Sequence, residues 1–239
     1  MRLLENLTAE MHRTAQDPTV DAVHDLRVAT RRATAALRHH KQIRKQLRAI
    51  RQRAAAVRDR DVTLALLRRH KLPASDPSMA YLQGQRDLAA QQLRDYLKTC
   101  EPPAVEHAIH PDPPKLEPLI EAFFSAGATA ASTGEIEQLH TFRIAAKKLR
   151  YSLELHDAHA PQLGKLKLVQ RQLGDMNDAI VAAQFLQGLP RLSPRARKLP
   201  ALLQALAAKH IGAFQRTWKS RFGPRAEAKW CQWASHIDG

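Results

Sequence analysis

Aromatic residues make up only 5% of this 239-residue chain. That scarcity weighs against a surface that stacks nucleobases, because readers of single-stranded nucleic acid rely on aromatic platforms. Cysteine is rarer still: Cys100 and Cys231 are the only two. Neither has a partner at metal-ligand spacing, so the chain shows neither a disulfide framework nor a zinc site, and both are expected as packed thiols. There are nine glycines, β-branched residues are scattered, and no segment alternates in the manner of a strand. No apolar run approaches the roughly 18–20 residues of a membrane span, and the start, Met1 to Leu7, lacks the apolar stretch of a signal peptide. The expectation is a soluble, cytoplasmic protein with no membrane partner.

Cationic charge is what the chain has in excess. Lys and Arg number 38 against 23 Asp and Glu, a formal net charge of +15 before any of the 12 histidines is protonated. Such an excess concentrates anions around the surface and speeds their capture. It is spread nearly evenly over the two halves, which argues against a globular body carrying a basic tail and for a basic site drawn from both halves. Nucleic acid, an anionic membrane surface and a phosphate polymer are the candidate ligands on charge alone.

Alanine, leucine, glutamine and arginine dominate, so local preference points to helix almost everywhere. Breaks are marked at Asp17-Pro18, Pro73 to Pro77, Pro102 to Pro118, Ser132 to Gly134, Pro161, Pro190 to Pro194 and Gly223-Pro224. The segment 102–115, rich in Pro and His, reads as a linker between a first helical repeat, 1–101, and a second, 116–239. From Val20 to Leu72 there is neither proline nor glycine. One helix over that span would be about 80 Å long, so a reversal is expected near His39 to Gln42, where the sequence marks it poorly.

An internal similarity pairs Val23 to Arg32 with Leu139 to Lys148. The shared pattern is apolar-His-x-apolar-Arg-apolar-Ala-x-basic-basic. At about 100° per residue, His24, Arg27, Arg31 and Arg38 fall on one arc, opposite Leu26, Ala29, Ala33 and Leu37. In the second copy His140, Arg143, Lys147 and Arg150 repeat the cationic arc, and Phe142, Ala145, Leu149 and Leu153 the apolar one. A solvated helix face ordinarily mixes both signs, because like charges four residues apart repel. Arcs almost free of carboxylate, occurring twice, point to an anion that relieves the repulsion. His24 and His140 add donors whose charge changes near neutral pH.

A second pair follows. Leu47 to Asp59 matches Leu166 to Asp178, with Arg48 opposite Lys167 and Asp59 opposite Asp178. Arg44, Arg48 and Arg51 share one helix face, as do Lys167 and Arg171, which extends the cationic edge in each half. Asp59 and Asp178 read as local pairing groups.

Taken together, the repeated His-x-x-Arg-x-x-x-basic-basic helix, Val57-Arg58-Asp59-Arg60-Asp61-Val62 and Leu173-Gly174-Asp175-Met176-Asn177-Asp178 resemble the CHAD family, the conserved histidine α-helical domain, over nearly the whole chain. The resemblance implies an all-α protein, a single domain over 1–239 made of two pseudo-symmetric four-helix bundles from an internal duplication, with a basic central channel. It also implies binding of inorganic polyphosphate there and targeting to polyphosphate granules. Ligand contacts are implied for His24, Arg27, Arg31, Arg38 and Arg48, and for His140, Arg143, Lys147, Arg150 and Lys167. Three positions depart from the pattern: Thr34 stands where a basic residue is common, Glu154 lies opposite Arg38, and Ala55 replaces the glycine matched by Gly174.

Rival readings are an RNA- or DNA-binding helical protein and an enzyme acting on polyphosphate or triphosphate. Against the second, the chain has no Walker loop, and Glu135-Ile136-Glu137 is followed by Gln138-Leu139 without the lysine of triphosphate-tunnel hydrolases. Asp59 with Asp61 and Asp175 with Asp178 are weak candidates for Mg²⁺. The histidine pairs His107/His110 and His156/His159 lack a carboxylate or thiol to complete a metal site. No catalytic residue, metal or cofactor is therefore expected. Trp218, Trp230 and Trp233 are expected to pack against the second bundle.

Overall fold

The computed structural model describes residues 2–37, 39–103, 114–156 and 161–238, and those residues form helices joined by short turns. In chain order they are α1 (Arg2–Gln16), α2 (Val20–Ala36), α3 (Lys41–Arg69), α4 (Pro77–Thr99), α5 (Glu117–Thr133), α6 (Ile136–Leu155), α7 (Pro161–Gln187), α8 (Leu199–Arg221) and α9 (Pro224–Asp238), with one 3-10 turn at Ala196–Lys198. Among the described residues there is no strand.

Two helix starts use side-chain oxygens to satisfy otherwise open amides. Thr19 accepts from the Ala22 amide at 3.2 Å at the start of α2, and Asp76 accepts from the Ser78 amide at 2.9 Å at the start of α4, where Pro77 opens the helix. At the end of α5 the chain turns through Gly134 at φ 68°, a left-handed conformation that side chains with a Cβ resist. The reversal within the proline-free run lies at Leu37 to His40. Leu37, fully buried, anchors it while its amide donates to Ala33 O at 2.9 Å. A packed leucine does there what glycine or proline does elsewhere.

Packing divides the chain into two compact units, 1–111 with 181–202 and 112–180 with 203–239. In the first, α1 packs on α2, α2 on α3, α3 on α4, and α4 returns to α1, closing a four-helix bundle. Its core includes Leu7, Met11, Val23, Leu26, Leu37, Leu47, Ile50 and Leu93. Each fully buried leucine contributes about 1.5–3 kcal/mol by leaving water. Arg86 of α4 ties three parts of this bundle together: its Nε donates to Asp61 Oδ1 of α3 at 2.9 Å, and its Nη2 to Pro18 O ahead of α2 at 2.5 Å. The stretch 181–202 joins this unit through Phe185, stacked on Tyr81 at 6.3 Å, and through Ser193, whose hydroxyl donates to Asp76 Oδ2 at 2.5 Å. The sequence repeat, which assigns that stretch to the second half, does not anticipate this packing.

The second unit packs α5 against α6 and α9 around an aromatic core. Phe123 stacks parallel to Trp230 at 5.6 Å, and Trp218 stacks on Phe222 at 4.9 Å and meets Phe142 edge-on at 5.2 Å. Gly127 gives Trp218 its space, since a Cβ there would lie 2.0 Å from the indole Cη2. Trp218 and Trp230 are buried and Trp233 is half-buried, as expected of the tail aromatics. Cys100 and Cys231 are half-buried free thiols, and burial together with Glu227, Glu117 and Glu121 pushes the Cys231 thiol up. Among the described residues no helix is long and apolar enough to cross a membrane.

Candidate functional site

The buried seam of α2 runs Val23, Leu26, Thr30, Ala33 and Leu37, alternating steps of three and four residues. That is the spacing that keeps one stripe of a helix against its neighbours. Thr30 belongs to the seam because its hydroxyl is satisfied by Leu26 O at 2.6 Å. The residue after Leu26 and the residue after Thr30 then fall at the rim of the packed face. These are Arg27 and Arg31, both half-buried, with His24 exposed. Setting His24 against His140 reproduces the pattern in α6: Leu139, Phe142, Ala146, Leu149 and Leu153 are buried, Arg143 and Lys147 half-buried, and His140 exposed. The seam passes through Ala146, and Ala145, expected on the apolar arc, is only half-buried. Arg27 and Arg143 each have one guanidinium nitrogen sequestered from water, Nη1 in the first and Nε in the second. These arginines, with Arg31 and Lys147, also interact with neighbouring groups.

The neighbouring helices follow the same logic. In α3 the buried stripe is Leu47, Ile50, Ala54 and Val57, leaving Arg48 exposed and Arg51 half-buried. Setting Arg48 against Lys167, the α7 stripe is Leu166, Val169, Leu173 and Met176, with Lys167 and Arg171 exposed. The α2–α3 contact brings cations of both helices together. Burial, then Arg31, then Arg48 all hold the Arg51 guanidinium below the ordinary arginine range. Among the described residues neither Arg48 nor Arg51 forms an ion pair with a carboxylate. Asp25, the acid nearest the α2 arc in sequence, is turned to α1, where Arg13 Nη2 donates to it at 2.7 Å.

The second unit handles its charge differently. Arg150 Nε lies 3.2 Å from Glu154 Oε1, its Nη1 donates to Gln170 Oε1 at 2.8 Å, and its guanidinium sits 4.8 Å from the Tyr151 ring centroid. Gln170 in turn donates to Ala146 O at 2.8 Å, linking α7 to α6. Of the predicted contacts, Arg150 is therefore already served by a carboxylate. The i,i+4 spacing of Arg150 and Glu154 is a salt-bridge signature the sequence carried. Gln170 had no comparable signal, since its role depends on α7 meeting α6. Arg38 lies outside the described residues, as do His107, His110 and His159.

Asp61 is buried on Arg86, Asp59 is exposed, and Asp178 interacts with neighbouring groups. His156 Nε2 lies 3.0 Å from Pro114 O. Among the described residues no group of three or more His, Cys, Asp or Glu side chains is arranged to hold a metal ion.

Comparison with known proteins places this geometry. No curated protein matches the sequence. Among solved structures, the CHAD domain from the plant Ricinus communis superposes with a TM-score of 0.65 at 21% identity, covering 90% of this chain and 87% of that one. PptA from Streptomyces chartreusis superposes with a TM-score of 0.53 at 19% identity, over 91% and 98% of the two chains. At such identities these likenesses speak to fold alone, and both neighbours span nearly the whole chain. The sequence profile of the CHAD domain matches residues 1–187, which takes in both basic helices and the whole of α7, so the chain belongs to the CHAD-domain family.

Proposed function

We propose that this protein binds inorganic polyphosphate, through the basic faces of α2/α3 and α6/α7, and that it acts as a binder and not as a catalyst. The observation that carries the reading is the cluster of Arg31, Arg48 and Arg51. Arg31 and Arg48 both bear on the half-buried Arg51 guanidinium, and Arg48 and Arg51 have no carboxylate partner among the described residues. A phosphate chain offers charge and acceptor oxygens at short, regular intervals, and guanidinium forks bind such oxygens by charge-assisted hydrogen bonds. His24 and His140, exposed at matching positions, add further donors. Aromatic placement favours a ligand without bases: Phe123, Phe142, Phe214, Trp218 and Trp230 are buried in the core of the second unit.

The decisive measurement is competition between long-chain polyphosphate and RNA of equal phosphate count. Polyphosphate is expected to win, and preference for RNA overturns the assignment. Binding should weaken with salt, log K falling by about 0.7 per decade for each phosphate engaged if the chain behaves as single-stranded nucleic acid does. Phosphate release from polyphosphate in the presence of Mg²⁺, abolished by Asp59→Ala or Asp178→Ala, would instead establish an enzyme. In cells the reading places the protein in the cytoplasm at polyphosphate granules. A fluorescent fusion that stays diffuse while granules are present contradicts that placement.

A further inference from the structure

The two basic faces are not equivalent, and the difference is sharpest at four positions. Opposite Thr34 of α2 stands Arg150 of α6, and opposite Arg51 of α3 stands Gln170 of α7. Each unit thus places one cation at this pair of positions, but on different helices and in different surroundings. Thr34 spends its hydroxyl on Thr30 O at 2.7 Å, and Arg51 remains half-buried without a carboxylate. Arg150 is held by Glu154 at 3.2 Å and by Gln170 at 2.8 Å. Residue type differs as well: Arg31 and Arg48 are matched by Lys147 and Lys167, which lack the planar fork that grips two phosphate oxygens at once.

From this asymmetry we infer that the α2/α3 face of the first unit is the tight phosphate subsite, with Arg51 its deciding side chain, and that the α6/α7 face holds the same polymer weakly because Arg150 is already engaged. The inference rests on the polyphosphate reading above. A half-buried cation pressed by like charges gains most from an arriving anion, whereas one already paired gains little and must give up its partner. Burial first, and then Arg31 and Arg48, lower the affinity of Arg51 for its proton, and the like-charge part of that penalty is what an arriving anion relieves. A short oligophosphate should therefore choose the first unit.

Calorimetric titration of the full chain with tripolyphosphate and with long-chain polyphosphate tests this, using wild type, Arg51→Gln, Arg150→Gln and Glu154→Gln. Wild type is expected to take up tripolyphosphate at one tight site per chain. Arg51→Gln should weaken that site by roughly ten- to a hundredfold, the span of a charge-assisted hydrogen bond, and Arg150→Gln by less than about threefold. Glu154→Gln, which frees Arg150, should add a second tripolyphosphate site. It keeps the test sharp should Arg51→Gln lose helicity. Equal weakening by Arg51→Gln and Arg150→Gln, or an unchanged stoichiometry in Glu154→Gln, overturns the asymmetry while leaving polyphosphate binding standing. Wild type that takes up neither polymer sinks both.

Discussion

Replacing Gly127 by alanine puts a methyl group where the Trp218 indole lies, with three ring atoms at 2.0, 2.3 and 2.7 Å from the new Cβ. The indole has little room to retreat. It is 8% exposed and bounded by Phe222 at 4.9 Å, Phe142 at 5.2 Å and Phe123 at 5.6 Å. Overpacking of this kind costs about 1–3 kcal/mol, partly offset by the roughly 0.5–1 kcal/mol that alanine gains over glycine inside a helix. Gly84 isolates that second contribution. It sits within α4 with nothing within 4 Å of a would-be Cβ. Gly84→Ala should therefore raise the melting temperature by roughly 1–4 °C, and Gly127→Ala, at a net cost of up to about 2.5 kcal/mol, should lower it by up to roughly 10 °C, at 2–4 °C per kcal/mol for a chain of this size. Thermal and urea transitions followed by far-ultraviolet circular dichroism measure both. If Gly127→Ala is as stable as Gly84→Ala, the aromatic core is looser than described and the packing argument fails.

Arg86→Leu strands the buried Asp61 carboxylate, side chain 3% exposed, and should destabilise by about 3–5 kcal/mol; a urea midpoint close to wild type contradicts the clip. Asp76 provides a pH dependence. Burial alone would raise its pKa, but the Ser193 hydroxyl, the Ser78 amide and Arg195 together hold it below the ordinary carboxylate value. The folded state is the one with the depressed value, so Asp76 stabilises fully above about pH 3.9, and that contribution is lost as pH falls through the lower folded value. Asp76→Asn should flatten the acid limb of the stability profile, and an unaltered limb speaks against the network. Arg27→Ala combined with Arg143→Ala should abolish polyphosphate binding with helicity retained; full binding by the double variant removes these two arginines from the contact set.

Most helices and their breaks were legible because Thr19, Pro77, Gly134 and Pro224 act locally, through caps, fixed dihedrals and positive φ. The reversal at Leu37 to His40 was legible only as a necessity of length, since a buried leucine carries no turn signal of its own. Burial along α2 and α6 follows the expected arcs except at Thr30, where a backbone-bonded hydroxyl makes a polar residue tolerable in the core, and at Ala145, which is half-buried while Ala146 takes the seam. The cationic residues were visible in the sequence, but their partners were not. That Arg31 and Arg48 bear on Arg51, while Gln170 braces Arg150, depends on which helices touch. The same holds for residues 181–202, whose place with the first unit is decided by Tyr81 and Asp76, more than a hundred positions earlier.

All three tryptophans of the chain, Trp218, Trp230 and Trp233, fall within 203–239, which belongs to the second unit. Intrinsic indole emission is thus a label that evolution has placed in one half only. Excited at the red edge of its absorption, the protein signals the melting of that half, while Tyr81 and Tyr96 colour the other. Whether the halves come apart in one step or two can be read by comparing the emission curve with a probe of total helix, without attaching a dye.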